Sequence, residues 1–224
     1  MRIVMNLEQA RVQSESLHRF CQAQLQIYEQ LQQSISVLGE DVLRQATERS
    51  SAGDFLLSVV VPLLKGATLL SELMTEANVA FLEEYIATVD ECSLNSYELE
   101  QQIALWDIQI VESRLKLRQL ADSSLELRNK AFQVSENTTL IGAYGEIRTE
   151  LKNKLNQLLL FDRTSSMLFD EVFRVSLLLQ QGFRLSARCW DDQTQKFIVP
   201  IDRELTWALE LERCYDQRRE WQNY

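Results

Sequence analysis

Turn-forming residues are the scarcest feature of this chain, whose 224 residues include only 6 glycines and 2 prolines. A many-stranded sandwich or barrel needs a turn every few residues, and this supply does not provide one. Histidine is represented once, by His18. The four cysteines, Cys21, Cys92, Cys189 and Cys214, fall at spacings that match no zinc or redox motif. In a protein made in a reducing cytoplasm they read as small, semi-buried hydrophobes. The most apolar run, Phe55 to Leu64, is too short to span a bilayer and is closed by Lys65. Polar helix follows directly after Met1 to Asn6, where a signal peptide would place its apolar region. The expectation is a chain that is not membrane-embedded, is made in the cytoplasm, and uses no classical signal peptide if it is exported.

What the sequence does contain suits a folded helical protein. Hydrophobic residues make up 46% and charged residues 25%, enough apolar content to build a core. The formal net charge of -10 repels a phosphate backbone, which argues against nucleic acid as a partner. Arg114, Lys116 and Arg118 form a local basic stretch, but Glu112 and Asp122 flank it. It reads as a solvated helix face.

Apolar spacing predicts the elements. Leu17, Phe20, Ile27, Tyr28, Leu31, Ile35 and Leu38 recur in helical steps, so a first helix is expected over about 7–38, with Gly39 as its C-cap. A second is expected from near Asp41 to near Val89, kinked or broken by Gly53, Pro62 and Gly66. Asp90 to Asn95 reads as a loop and Ser96 as the next N-cap. The third helix, Tyr97 to about Phe132, carries two stripes. Leu99, Ile103, Trp106, Ile110, Leu117 and Leu120 form one; Ile108, Val111, Leu115 and Leu125 form the other, which implies contacts on two sides. Gln133 to Gly145 reads as a polar link, and a fourth helix should run on to about Gly182. Around Asp191-Asp192-Gln193-Thr194 the pattern becomes extended, a candidate short β-hairpin within 188–200. Asp202 should cap a last helix from Arg203 to about Trp221. The fold class is therefore all-α, an elongated antiparallel bundle of long helices with that one hairpin.

The residues give no catalytic constellation. His18 and Cys21 could share a helix face, but a metal would need two further ligands, so no metal or cofactor is expected. Glu83-Glu84 and Asp170-Glu171 are adjacent on helices and point apart, which makes poor acid–base dyads. Asp191-Asp192 suits a turn. The chain shows neither a G-x-S-x-G elbow nor a Gly-rich phosphate loop. Several helices do carry more apolar surface than one stripe can bury. Either a partner's helices cover that excess or the bundle closes on itself, and periodicity leaves both readings open.

Val59-Val60-Val61-Pro62-Leu63-Leu64-Lys65-Gly66, followed by Leu69-Leu70, resembles the V-h-x-P-L-L-x-G-x-x-L-L segment of LXG domains. The similarity continues through Ala77-Asn78, Phe81, Val89-Asp90 and the helix start Ser96-Tyr97-Glu98-Leu99-Glu100. Met1-Arg2-Ile3-Val4 with its Gln-rich first helix, Leu179 to Leu185 around Gly182, and Trp190-Asp191-Asp192 are also similar. The Leu-x-Gly positions themselves fall near Arg44, Gln45 and Ala46, with Leu43 one step off and the Gly absent. The resemblance spans residue 1 to about 200, leaving 201–224 as a C-terminal helix or the start of a linker to a toxin domain that would lie elsewhere.

LXG domains are non-catalytic targeting domains of toxins exported by type VII secretion systems of Gram-positive bacteria. They bind small helical WXG-like proteins, and the complex goes to the secretion machinery. On this chain the resemblance implies a partner surface of Leu17, Phe20, Tyr28, Leu31, Ile35 and Leu38. Val59, Val61, Leu63 and Leu70 would join it or form the core, and Pro62 and Gly66 would set a bend. Two other readings stay open on the residues alone: a self-contained cytoplasmic helical adaptor or immunity-like protein, and an enzyme of unrecognised type.

Overall fold

A computed structural model describes residues 2–45, 51–123 and 126–222, the side chains at 38–45 and 221–222 excepted. A short strand β1 (Val4–Met5) leads into α1 (Leu7–Gln45). Next come α2 (Ser51–Phe55), a π-helical turn (Leu56–Val60) and α3 (Val61–Thr88). Strand β2 (Leu94–Asn95) precedes α4 (Ser96–Asp122) and α5 (Leu127–Thr164). A 3-10 turn (Ser165–Phe169) joins α5 to α6 (Asp170–Ser186). Strands β3 (Trp190–Asp191) and β4 (Lys196–Phe197) form the expected hairpin, and α7 (Thr206–Gln222) follows a 3-10 turn at Asp202–Glu204. The fold is an all-α arrangement of long helices with two small antiparallel strand pairs.

The chain divides into two compact units, one holding the residues up to Arg11 with Phe81–Ser166, the other Val12–Ala80 with everything from Met167 on. In unit 1, β1 and β2 pair antiparallel, Val4 opposite Asn95 and Met5 opposite Leu94. The Ile3 N–H donates to Ser96 Oγ at 3.0 Å, and the Leu7 N–H donates to Ser93 Oγ at 2.9 Å. Ser96 is thus spent on holding the N-terminal segment, and the cap of α4 is Asn95, whose side chain accepts from the Tyr97 N–H. This corrects the expectation of Ser96 as the cap. Met5, Leu7, Tyr85, Val89, Leu99, Leu158 and Phe161 form the core here. Tyr85 is fully buried and its hydroxyl donates to the Cys92 carbonyl at 2.8 Å. Burial, then the charges of Asp90 and Cys92, push its phenol up to about 12. Asp90 is held below the usual carboxylate range by Lys154, 2.7 Å away.

α4 and α5 form an antiparallel hairpin. Arg148 pairs with Asp107 at 2.7 Å, the Trp106 and Tyr144 rings meet at a tilt with centroids 5.1 Å apart, and near the turn Lys130 Nζ donates to the Ala121 carbonyl. The sequence reading placed the break between these helices at 133–145; it lies between Asp122 and Leu127. Asn137, Thr138 and Thr139 looked like loop residues. Their side chains instead donate to carbonyls four residues back, which lets them sit inside a helix. Leu125, placed in the second stripe, lies outside the described residues.

Unit 2 is built on α3, α6 and α7. Val59, Leu63, Leu69 and Leu73 meet Val175, Leu178, Leu179, Leu185 and Cys189, and Trp207, Ala208 and Leu211 close the core. The segment after 200 therefore shares one core with the segment before it. Gly182 lets Trp207 approach: an added Cβ would lie 2.6 Å from its ring and 2.7 Å from Leu63. The β3–β4 hairpin docks by Phe55 stacking on Phe197, ring centroids 4.4 Å apart, with Trp190 edge-on to Phe197. Its turn is set by Asp191, which accepts from the Gln193 N–H and from Thr194 Oγ1.

Further helix boundaries differ from the spacing-based reading. The last helix starts at Thr206, and Asp202, expected to cap it, lies in the 3-10 turn before it. α1 continues through Gly39 to Gln45, so Gly39 is not its cap, and the next described helix starts at Ser51 instead of Asp41. The fourth helix is interrupted by the 3-10 turn at Ser165–Phe169 and ends at Ser186. The run Ser51–Thr88 is long and apolar enough to cross a membrane by composition, with a mean hydropathy of 1.6 in its most apolar window. Half of that window is buried inside the fold, as in the core helix of a folded domain.

Candidate functional site

The residues expected to bind a partner separate into two environments, both in unit 2. Val59 and Leu63 are core residues, at 0% and 9% exposure. Leu70 is half-buried against the same core, and Val61 is half-buried. A charge at Leu63 would therefore test folding before it tested binding.

Pro62 is buried directly after the π turn. Proline lacks an N–H and its ring crowds the carbonyl four residues back, so an ordinary α-helix is broken there. Here the turn before it is widened: the Val61 N–H donates to the Leu56 carbonyl, five residues back. Gly66 lies inside α3, and an added Cβ would meet Leu211 at 2.7 Å and Leu179 at 2.9 Å. Its contribution is the close approach of α3 to α6 and α7.

α1 supplies the accessible surface. One stripe faces inward: Leu17, Tyr28 and Ile35 are half-buried and Cys21 is buried. Leu25, Glu29 and Gln32 line a groove with Thr68 and Glu72 of α3 and with Tyr215 and Arg219 of α7. Glu72 holds that groove together, since Arg218 Nε and an Arg219 guanidinium nitrogen both donate to it, at 3.1 and 2.6 Å. The neighbouring stripe faces outward, with Phe20 60% exposed, Ile27 48% and Leu31 45%. Steps of seven and four keep these three on one line of the helix. Ile27 belongs to the apolar stripe but not to the expected binding surface; it is exposed on the same line as Phe20 and Leu31. The Leu38 side chain lies outside the described residues.

His18 is exposed whereas Cys21 is buried, so the two do not present themselves to one ligand. Among the described residues no group of three or more His, Cys, Asp or Glu side chains could hold a metal ion. All four cysteines are free. Burial pushes the Cys189 thiol up, which disfavours the reactive thiolate.

The arrangement is an all-α protein with a long helix that buries one stripe and leaves a second, aromatic and aliphatic stripe uncovered. Comparison with known proteins adds one relative. The chain is 26% identical over 182 residues to a protein named Toxin from Bacillus cereus. The match covers 81% of this chain and 31% of that protein, so the chain spans about a third of the length of the relative it matches. Neither a family model nor a solved structure matches the chain.

Proposed function

We propose that this chain is the non-catalytic targeting region of a toxin, of the LXG type, which binds small helical WXG-like proteins for export by a type VII secretion system. The observation that carries the reading is the uncovered stripe Phe20–Ile27–Leu31 on a helix whose other stripe is already packed. An apolar line at helical spacing is what a partner helix packs against. The similarity to a toxin-named protein supports it, as does the segment around Pro62-Leu63-Leu64 that resembles LXG domains. In this reading the protein is made in the cytoplasm, captured there by its partners, and delivered without a classical signal peptide. The toxic chemistry belongs to another part of the longer protein.

The test is co-expression with a small helical WXG-like protein, or with any encoded beside this chain, followed by size-exclusion chromatography with light scattering. A stable mixed complex is expected. Phe20→Asp and Leu31→Asp should each abolish co-purification while keeping the helical circular dichroism of the parent. A lone chain that is well behaved and ignores every neighbour would instead favour the self-contained adaptor. Undiminished binding by both folded variants would remove this stripe from the interface.

A further inference from the structure

The outer face of α4 carries a second uncovered surface, in unit 1. Two lines of residues run along this helix, each in alternating steps of three and four. Leu99, Ile103, Trp106, Ile110, Ser113, Leu117 and Leu120 are all buried or half-buried, and the contacts of Trp106 with Tyr144 and of Asp107 with Arg148 show that this side faces α5. Gln101, Ala104, Ile108, Val111 and Leu115 are all exposed, with Ile108 at 54%, Val111 at 53% and Leu115 at 48%. The offset between the lines places them on opposite sides of the helix. The 3-4 spacing is that of a coiled-coil seam, in which each apolar residue enters a hole on a facing helix.

The charges beside this seam are segregated. Between Ser96 and Glu112 the helix carries Glu98, Glu100, Asp107 and Glu112 and no basic residue; between Ser113 and Asp122 it carries Arg114, Lys116 and Arg118 against Asp122 alone. A parallel copy would set acid on acid and base on base. An antiparallel copy turned about an axis between 109 and 110 sets the half with Glu98, Glu100 and Asp107 on the half where Arg114, Lys116 and Arg118 outnumber Glu112 and Asp122. From this we propose that α4 is a homotypic interface: the seam pairs antiparallel with the same seam of a second copy of this chain. With the two-fold axis between positions 109 and 110, Ile108 of each copy meets Val111 of the other and Ala104 meets Leu115. Glu100 then flanks Arg114 of the other copy, twice per dimer. Glu100 and Ala104 border a groove shared with Lys152, Leu155 and Asn156 of α5, whereas Ile108, Val111 and Leu115 are exposed beyond it.

The full 224-residue chain is followed by analytical ultracentrifugation across a concentration series. The parent is expected to form a dimer. Glu100→Arg and Arg114→Glu alter exposed positions, so each should keep its circular dichroism and melting curve. Each places like charges together at both symmetry-related contacts and should weaken self-association about tenfold or more. An equimolar mixture of the two restores opposite charges at both contacts, and native mass spectrometry should find a mixed dimer. Ile108→Lys should abolish the dimer alone and in mixtures. Leu31→Asp on α1 should leave it intact, which separates this proposal from the partner-binding reading. A parent that stays monomeric, or a dimer that none of the α4 variants alters, overturns the proposal. So does a monomeric parent in which Ile108→Lys blocks capture of a co-expressed helical protein, since the seam then belongs to that protein.

Discussion

Tyr85 shows how much one side chain can hold in this fold. It is fully buried, it ties α3 to the loop before β2 through the Cys92 carbonyl, and its ring meets Phe161 edge-on. Its ionisation is raised from 10.0 to about 12 in the folded state, so the unfolded chain loses this proton first as pH rises. The contribution is fully present below pH 10 and is lost across the window from about 10 to 12. Denaturant titrations at increasing pH should therefore show a decline in that window, shallower in Tyr85→Phe, which has no phenol to ionise. Equal slopes in the two proteins would contradict this account. Gly182 makes the opposite kind of contribution, by having nothing to place against Trp207 and Leu63. Gly182→Ala should destabilise unit 2 by about 1–3 kcal/mol, the usual cost of overfilling a packed core, read from the urea midpoint.

At the scale of elements, the same residue type carries the reverse expectation. Gly142 and Gly145 lie within α5, and an added Cβ at either would meet nothing within 4 Å. As parts of a loop they could require backbone freedom; as parts of a helix they cost it stability. Gly142→Ala and Gly145→Ala should each stabilise the protein by roughly 0.5–1 kcal/mol. A loss of stability in both would argue that the segment is not a helix. Much of the element content was legible from apolar spacing: α1, α3 and the inward stripe of α4. The second stripe of α4, expected to make contacts of its own, is exposed at Ile108, Val111 and Leu115. The break between α4 and α5 was not legible, because Asn137, Thr138 and Thr139 have loop composition yet satisfy themselves on helix carbonyls. β1 and β2 are two residues each and too short to show a period. The π turn before Pro62 had a sequence signal, the proline, but its form depends on the carbonyls available one turn back.

For the molecule as a whole, the issue is which surfaces are finished. Unit 2 needs α7: Trp207 is 2% exposed and Leu211 fully buried, both in a core with α3 and α6. Removing either from a packed core ordinarily costs about 2–5 kcal/mol, a large fraction of a domain's roughly 5–15 kcal/mol of stability. A chain ended after Pro200 should thus lose the near-ultraviolet signal and protease resistance of unit 2, and a resistant truncated chain would refute the shared core. Substitutions at Leu31 and Leu63 separate the two kinds of surface. Leu63→Asp should unfold unit 2, having no room for a charge. Leu31→Asp should change stability by no more than about 0.5 kcal/mol while eliminating partner capture. Thermal melts of both variants, run beside the co-purification, distinguish a surface that binds from one that folds.

The sequence by itself determined that this is an all-α chain, because few turn residues and recurrent three- and four-residue apolar steps leave little else to build. It also located the hairpin, through a run of turn residues between extended pieces, and it identified the Pro62 segment as apolar beyond the needs of one stripe. Only the tertiary structure decided which of two equally spaced stripes is inside. Spacing places residues on a face, but the covering of that face depends on which distant segment packs there. Thus Val59 and Leu63 went to the core while Phe20 and Leu31 stayed outside, and Ile110 met α5 while Ile108 met solvent.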